Sequence, residues 1–450
     1  GRLKSFGDTR EDKTDMIGRL GARYDKDMAW GQWFVRGSLQ QAHQDKDKLT
    51  LSSTRNVNTG VVTGPTSATE LETIRERLNT LASGVTVRWG AHLLEGGLES
   101  SNARYDFVKT KRSNGTDTSA PKERYDIKER RQILWAQDTW TPHPAHTLTP
   151  GLRMERVTRQ ATGSSTGTLD AQHALNAPSL HYRWALQPQT NLRASLARSV
   201  RLPKYDELNP YVSAASTNNS STPDTAGNPD LKPQTAIGAE LGLEHFLPED
   251  RGVIGANIYN RAVKNFIEKV TQQEGSRYVE RPQNLGQAHF WGMEIDWRMP
   301  VLRHTSHHLT VTGSHAELRG TVQNSKTGTQ QSVKDMPERI TNLGLDWNHK
   351  PSGWSSGFSV NWQPRFTREA LNDDGVLERK TRNSSGMLDL YLHKIIRGLG
   401  DIRLSAKNVL AVSKEETTAK LNATTGATTS LEYKTETSSP TFLLAFETRF

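Results

Sequence analysis

Two short histidine-rich segments contain the first residues in this sequence that could do chemistry. "RHTSHHL" places His304, His307 and His308 close together, and "PHPAH" adds His143 and His146. Imidazole nitrogens at such short spacing could bind a transition metal. Both segments, however, coincide with short connections between predicted strands, at one rim of the predicted sheet. We therefore interpret these histidines as polar turn residues and predict no metal site.

The sequence contains no motif of a known enzyme class. It has no nucleophile elbow, phosphate loop, dinucleotide fingerprint or HExxH segment, and no cysteine for a disulfide or a thiolate metal site. The net charge is +9, but the 58 basic residues are spread among 49 acidic ones without a basic block. The longest strongly apolar run is "FLLAF" (442–446), far too short for a spanning helix. We predict neither an enzyme, nor a nucleic-acid-binding protein, nor a helical membrane protein.

Apolar and polar residues alternate through most of the chain with the two-residue period of a β-strand. In "FWGMEIDWRM" (290–299), Trp, Met and Ile occupy one face, and Glu294, Asp296 and Arg298 the other. The nearest competitor is "TELETIRERLNTLAS" (69–83), which could form a helix. The sequence therefore predicts an all-β protein. A soluble sheet and a membrane barrel would both satisfy the alternation, since the apolar face needs burial and the charged face needs water.

Short and long connections take turns between the predicted strands. The short ones lie near 25–28, 89–92, 142–146, 187–190, 248–252, 301–306, 350–354 and 398–401. Long polar stretches, predicted as loops, lie near 44–69, 105–127, 160–172, 200–233, 264–283, 320–336, 368–385 and 411–439. In an up-and-down antiparallel sheet this places short turns at one rim and long loops at the other, as in bacterial outer-membrane barrels. A propeller would instead repeat a motif about every 40 residues.

The number of connections predicts an incomplete barrel. About sixteen connections join about seventeen strands, so the first strand (about 14–25) starts at the long-loop rim and the last (440–450) ends at the other. Single-chain bacterial barrels usually have an even number of strands. The chain also begins without Met or an apolar signal segment. We therefore expect residues 1–450 to be the C-terminal part of a longer protein.

Several segments resemble the TonB-dependent outer-membrane receptors. They are "TNLRASLARSVRLPKYDELNP" (190–210), "NPDLKPQTAIGAELGLEH" (228–245), "QNLGQAHFWGMEIDWRM" (283–299) and "DIRLSAKNVL" (401–410). Gln234 stands where that family usually has Glu. The last strand resembles the terminal strand of outer-membrane barrels, which serves as the assembly signal, at Phe442, Leu444, Phe446 and Phe450.

The resemblance implies an antiparallel transmembrane β-barrel of 22 strands, of which about seventeen are present, with the plug domain and five strands absent. It implies a bacterial outer-membrane location and active import of a scarce ligand, in most members a ferric siderophore, with no covalently bound cofactor. The implied partners are the TonB–ExbB–ExbD complex, acting through the missing plug, the barrel assembly machinery, and outer-membrane lipid and lipopolysaccharide. A monomer is expected. The alternatives are a passive porin-like channel and a soluble all-β protein.

The polar segment 200–233 is the predicted ligand-binding loop. Arg201, Lys204 and Tyr205 stand where its strand leaves the membrane. Guanidinium and ammonium groups suit the carboxylates or catecholates of a ferric chelate, and a phenol ring offers stacking area. The same side chains could instead bind lipopolysaccharide phosphate or support the rim.

The two faces of the predicted strands have different expected roles. Tryptophans on the apolar face are expected to contact lipid or form an interfacial girdle. Charged residues on the other face, such as Glu294, Asp296 and Arg298, are expected to form ion pairs with neighbouring strands and with the missing plug. The tryptophans concerned are Trp184, Trp291, Trp297, Trp347 and Trp362.

Overall fold

The computed structural model of the chain is built almost entirely of β-strands. It describes residues 3–118, 123–163, 167–209, 211–215, 218, 223–323, 328–333, 336–371 and 376–448. Single-turn 3-10 helices occur at Asp206–Leu208 and Pro248–Asp250. Among the described residues, no helix has the length and apolar character needed to cross a membrane.

The strands vary from two to 28 residues in length. In chain order they are β1 Leu3–Met28, β2 Gly31–Asn56, β3 Val62–Trp89, β4 His92–Ser113, β5 Thr116–Asp117, β6 Arg124–His143, β7 His146–Gly163, β8 Gly167–Gln187, β9 Thr190–Arg201, β10 Val212–Ser213, β11 Asp224–Ala226, β12 Gln234–Leu247, β13 Gly252–Lys264, β14 Phe266–Glu274, β15 Arg277–Leu285, β16 Ala288–Arg303, β17 His307–Gln323, β18 Gln330–Ser332, β19 Arg339–His349, β20 Trp354–Gln363, β21 Phe366–Leu371, β22 Val376–Arg382, β23 Ser385–Ile396, β24 Gly400–Lys407, β25 Lys414–Asn422, β26 Thr428–Glu436 and β27 Thr441–Glu447.

One large antiparallel sheet, which we call the wall, dominates the fold. In the described part of the chain it contains nineteen strands, and β5 and β18 contribute just two and three residues to it. The other seventeen pair in up-and-down order along the chain, so the predicted all-β barrel wall is confirmed. Two four-stranded sheets, β10-β11-β15-β14 and β21-β22-β25-β26, are built from the long connections.

The eight predicted short turns join wall strands at one rim, but several predicted loops are strand. The pairing of β2 with β3 starts where Gln32 faces Thr86 and continues until Arg55 faces Val62. Most of the predicted loop 44–69 is therefore strand. The predicted loops at 264–283 and 411–439 form the hairpins β14–β15 and β25–β26. The alternative prediction of a helix at 69–83 is wrong, because this segment lies in β3 and pairs with β2 and with β4. Beyond the membrane both strand faces can be polar, so polar composition did not mark the strand ends.

Loops that fold against one face of the wall identify its inner side. On β4, β6 and β7 the residues Tyr105, Ile127 and Val157 are buried, whereas their sequence neighbours Arg104 and Arg156 are exposed on the opposite face. The outer face carries a band of exposed apolar side chains, as lipid contact requires. Of the five tryptophans predicted for the apolar face, Trp184, Trp291 and Trp362 are exposed in this band, whereas Trp297 and Trp347 are half-buried. The band also includes Leu98, Leu134, Met154, Leu196, Leu241, Ile258, Ile295, Phe358, Leu390 and Leu404.

Among the described residues, the wall has two open edges. β1 pairs with β2 alone and β27 with β24 alone, so each presents a row of backbone groups without a partner strand. Phe442, Leu444 and Phe446 of β27 lie opposite Ala406, Leu404 and Ile402 of β24 and point to the outer face. Phe450, the remaining residue of the predicted assembly signal, lies outside the described residues.

Candidate functional site

The described part of the connection between β9 and β12, residues 202–209, 211–215, 218 and 223–233, folds onto the inner face of the wall, and we call it the inner loop. Its apolar side chains pack on β4 and β6 and exclude water from that part of the wall. The loop therefore lies within the barrel at the long-loop rim instead of extending into solvent. The buried cluster comprises Tyr105, Tyr125, Ile127, Ala161, Leu208, Tyr211, Leu231 and Ile267, with Ile74, Phe107 and Tyr205 packed against it.

A buried ion pair holds the inner loop to the wall. Arg159 Nε of β7 donates to Glu129 Oε2 of β6 at 2.5 Å, and both side chains are 6% exposed. Arg159 Nη1 also donates to the backbone carbonyl of Pro203 at 2.8 Å. Charge-assisted hydrogen bonds of this kind are strong when both partners are shielded from water. The start of the inner loop is therefore held in a single position.

Five aromatic rings line the interface between the inner loop and the wall. Tyr205 lies 5.2 Å from Tyr105, Tyr125 lies 5.0 Å from Phe107, and Tyr211 lies 5.8 Å from Tyr125, all measured between ring centroids. These residues lie on the long-loop side, beyond the apolar band. Burial raises the pKa of Tyr105 to about 12 and raises the pKa of Tyr125, Tyr205 and Tyr211 above their ordinary value. At neutral pH all four phenols are therefore protonated.

A cavity of about 530 Å³ lies between the inner face and the start of the inner loop. Among the described residues, four cationic side chains and one carboxylate, that of Glu155, line this cavity. Glu155 Oε1 lies 3.1 Å from Arg131 Nε, and its Oε2 lies 3.3 Å from Arg153. The cavity has the size of a small-molecule site and an excess of positive charge, which favours an anionic ligand. Its lining is Arg131, Arg153, Glu155, Arg159, Val200, Leu202, Pro203, Lys204 and Tyr205.

The structure brings two of the three predicted ligand residues into this cavity. Lys204 is exposed at the edge of the cavity. The guanidinium carbon of Arg159 lies over the Tyr205 ring, 5.5 Å from the ring centroid. Arg201 lines a neighbouring cavity of about 320 Å³ instead. Its Nη2 donates to Glu207 Oε1 at 2.6 Å, so part of its charge is already neutralised.

Sequence reasoning missed the cations that the wall contributes. Arg131, Arg153 and Arg159 all lie on the inner face of β6 and β7, opposite the apolar side chains of the same strands. The segment "LRMERVTR" (152–159) places basic or acidic residues at every second position except Val157. That alternation was the available signal, but the fold of the inner loop was needed to show which charges share a cavity.

A second ion pair connects the inner loop to the β14–β15 hairpin. Arg277 donates from Nε to Asp224 Oδ2 at 2.6 Å and from Nη2 to Oδ1 at 2.7 Å. The Ala215 N–H donates to the same carboxylate at 2.8 Å, and the Asp224 side chain is 3% exposed. These hydrogen bonds, led by those from Arg277, hold the pKa of Asp224 well below its ordinary value. Asp224 is therefore ionised at neutral pH and fixes the far part of the inner loop.

The histidines of the short-turn rim form ring stacks on the outer face. His307 lies 4.4 Å from His349 and 5.9 Å from Trp347, between ring centroids, and His146 lies 5.7 Å from Trp184. Of the five histidines considered above, His304 alone lies in a turn, and the others lie at strand ends. Across the described ranges, no group of three or more His, Cys, Asp or Glu is arranged to hold a metal ion. The rings instead stack against Trp184 and Trp347 on the outer face.

Nearer the short turns, the inner face carries charges that lack partners. Arg193 pairs with Glu244 at 2.7 Å, but Glu294, Asp296 and Arg298 form no ion pair within the part of the chain that the structure describes. The expected ion pairs of these three residues with neighbouring strands are therefore wrong. The register explains this, because their cross-strand neighbours are uncharged: Asn257 and Ala316, Gly255 and Ser314, and Val253 and Thr312, respectively.

An antiparallel wall with an apolar outer band, a charged inner face and loops folded inward at one rim defines a bacterial outer-membrane barrel protein. The family model for the TonB dependent receptor-like β-barrel matches residues 2–409. The chain belongs to this family, and it is an outer-membrane protein.

Known proteins similar to the chain are outer-membrane receptors and transporters. It is 22% identical over 316 residues to the iron-regulated outer membrane virulence protein of Vibrio cholerae serotype O1, covering 66% of the chain and 43% of that protein. It is 26% identical over 293 residues to the ferric enterobactin receptor of Pseudomonas aeruginosa, covering 61% of the chain and 35% of that protein. The matched region is thus less than half the length of either curated relative.

Solved structures share the fold at lower identity. The copper transporter OprC superposes with a TM-score of 0.61 at 15% identity, over 96% of this chain and 71% of that one. The ferric citrate transporter FecA superposes with a TM-score of 0.55 at 14% identity, over 91% of this chain and 66% of that one.

Proposed function

We propose that the whole protein imports a ferric siderophore across the outer membrane. The observation that carries this proposal is the cavity under the inner loop, where four cations, Arg131, Arg153, Arg159 and Lys204, outnumber their two carboxylate partners, Glu129 and Glu155, beside the neutral phenol of Tyr205. Ferric chelates of catecholate or carboxylate type are bulky anions, and such a lining offers them charge, hydrogen-bond donors and ring surface. One similar protein is a ferric enterobactin receptor, in agreement with this ligand class.

Within this proposal, the three predicted residues have unequal roles. Lys204 is the exposed cation at the edge of the cavity and is placed to meet the ligand first. Tyr205 offers the edge of its ring while Arg159 covers its face. Arg201 is held by Glu207 and shapes the start of the inner loop more than it binds ligand. The ligand is cargo, and the barrel performs no covalent chemistry.

We further propose that residues 1–450 act together with a plug domain and five more barrel strands. The open edges of β1 and β27 support the additional strands, since unpaired edges are unstable within a membrane. The unpaired inner-face charges Glu294, Asp296 and Arg298 support a plug that would complete their ion pairs. Energy would reach this plug from the TonB–ExbB–ExbD complex. The barrel assembly machinery and a monomeric state remain predictions.

Growth on single iron sources tests the proposed ligand class. Cells lacking the gene, and the same cells complemented with the full gene, are grown with a ferric catecholate, a ferric hydroxamate or ferric citrate as the sole iron source. The proposal expects the gene to support growth on one of these chelates. Equal growth with and without the gene on every chelate, in cells that lack other receptors for them, would overturn it.

A further inference from the structure

A smaller cavity, of about 320 Å³, lies on the inner face beside the cavity under the inner loop. We call it the side cavity, and we call the cavity of about 530 Å³ the main cavity. Val200, near the end of β9, lines both, so the two cavities adjoin each other. Side chains of β9, β12, β13 and β16 line the side cavity.

Part of the side cavity is apolar and shielded from water. Ala236 and Val263, which line it, are 7% and 2% exposed. Phe290, which also lines it, packs on Phe266 of β14 with 5.7 Å between the ring centroids. An ion pair formed in such a recess is stronger than the same pair in open water, because the local dielectric constant is lower.

Arg261 of β13 brings a positive charge without a counter-charge to the side cavity. The residue is exposed on the inner face, and it forms no ion pair or side-chain hydrogen bond within the described ranges. Strand register explains this, because Arg261 lies opposite Gly238 of β12 and Phe290 of β16, which are both uncharged. Its guanidinium is therefore free to bind an anion.

Arg201 brings a second guanidinium to the long-loop end of the side cavity. Its Nη2 is held by Glu207, whereas its Nη1 is shielded from water and has no hydrogen-bond partner among the described residues. A buried N–H group without an acceptor is costly. The rows of Arg201 and Arg261 lie about 13 Å apart along the strands. Among the described residues, no Asp or Glu lines the side cavity.

We propose that the side cavity binds a carboxylate arm of the same ferric chelate whose iron-binding core occupies the main cavity. This inference rests on the proposed import function, and it narrows the ligand to a ferric catecholate that carries a free carboxylate. A catecholate core is a bulky aromatic anion, which matches the four cations and the Tyr205 ring of the main cavity. The carboxylate accepts hydrogen bonds from Arg261 and from Nη1 of Arg201.

Cavity size supports one ligand in two adjoining cavities. Sites for whole small molecules measure about 300–1,000 Å³. The side cavity is at the lower end of this range, so it fits an arm of the ligand, while the main cavity has room for the core. Because Val200 borders both cavities, an arm can pass from one to the other around the end of β9.

The test uses the full-length protein in detergent and two probes that differ in the carboxylate alone. One is the ferric tris-complex of N-dihydroxybenzoylglycine, and the other is the same complex of its methyl ester. Quenching of tryptophan fluorescence measures the affinity for each. The variants are Arg261→Gln, Arg261→Lys and the matched control Arg397→Gln, which removes an exposed arginine from a short turn. Acetate serves as a free carboxylate in competition.

The proposal expects the unmodified protein and Arg397→Gln to bind the acid complex at least about tenfold more tightly than the ester complex, as a charge-assisted hydrogen bond implies. Arg261→Gln should lose most of this preference, and Arg261→Lys, which keeps the charge, should retain part of it. Roughly 1 mM acetate should leave the preference intact, because the arm of a bound chelate has a high effective concentration.

Equal affinity of the unmodified protein for both complexes would overturn the proposal, as would a full preference retained in Arg261→Gln. Loss of the preference in acetate would also overturn it and would indicate a site for free anions. If neither complex binds, the narrowed ligand class is wrong, whereas the import proposal is judged by growth on the other chelates. The two failures can therefore be distinguished.

Discussion

Arg159 of β7 and Glu129 of β6 form a hydrogen bond of 2.5 Å on the inner face of the wall, where both side chains are almost fully buried. The same guanidinium reaches the carbonyl of Pro203. One cross-strand ion pair therefore determines where the inner loop begins. This position brings Lys204 and Tyr205 to the cavity whose other cations come from the wall.

Replacing Arg159 with Leu should release the start of the inner loop. The change removes the closer of the two arginines that pair with the buried Glu129 and leaves Arg131 at 3.1 Å, so the loss of folding free energy should be below the roughly 3–5 kcal/mol of a buried charge left with no partner. We expect hydrogen exchange of residues 202–209 to accelerate strongly, while the wall strands remain protected. In the control Arg153→Leu, the arginine removed from Glu155 is 43% exposed, so the expected loss of folding free energy is below about 1 kcal/mol. Similar exchange in the two variants would contradict the role of the buried pair.

The Asp224–Arg277 pair should make the far part of the inner loop sensitive to acid. Because the pKa of Asp224 is lowered in the folded protein, the pair contributes its full stability above the ordinary aspartate pKa of about 4 and loses it as the pH falls further. Limited proteolysis between pH 3 and 7 should show protection that weakens below about pH 4. The variant Asp224→Asn should be cleaved rapidly at every pH. Equal protection of variant and unmodified protein at pH 6 would refute the assignment.

The two faces of β16 can be tested at neighbouring positions. Ile295 is 40% exposed within the apolar outer band, so Ile295→Arg should destabilise the barrel by about 2–4 kcal/mol and reduce assembly in the outer membrane. Asp296 lies on the inner face without an ion-pair partner among the described residues, so Asp296→Asn should assemble normally. Heat-modifiable migration of outer-membrane fractions measures assembly. The reverse result would show that the faces are inverted.

The cavity residues should differ in their effect on ligand binding. Lys204→Gln removes an exposed cation and should weaken ferric siderophore binding about tenfold, the equivalent of one charge-assisted hydrogen bond. Arg201→Gln should have a smaller effect, since Glu207 already holds that guanidinium at 2.6 Å. Lys350→Gln, in a short turn, is the matched control. Quenching of tryptophan fluorescence measures affinity. An Arg201 effect larger than that of Lys204 would contradict the assigned roles.

The wall was predictable from sequence because each part of its pattern is local. Alternation at Ile295 and Asp296 assigns faces, and the turns between wall strands are short and rich in Gly and Pro. Strand length was less predictable. β2 continues as far as Asn56, and β3 begins already at Val62, although both strands carry polar side chains on both faces there.

The site was predictable only in part because it depends on contacts distant in sequence. Tyr205 packs against Tyr105, and Arg159 contacts Pro203. No local pattern shows that the inner loop folds inward onto β6 and β7. Lys204 and Tyr205 could be selected by residue type and position, whereas Arg131, Arg153 and Arg159 became visible once the inner loop was placed over them.

Uptake of radiolabelled iron tests the central claim most directly. Cells whose sole ferric siderophore receptor is the full-length protein are supplied with the labelled chelate on which the gene supports growth, in the presence and absence of TonB. The import proposal predicts saturable uptake that falls to background when TonB is removed. Uptake that continues unchanged without TonB and does not saturate would contradict it and would indicate a passive channel.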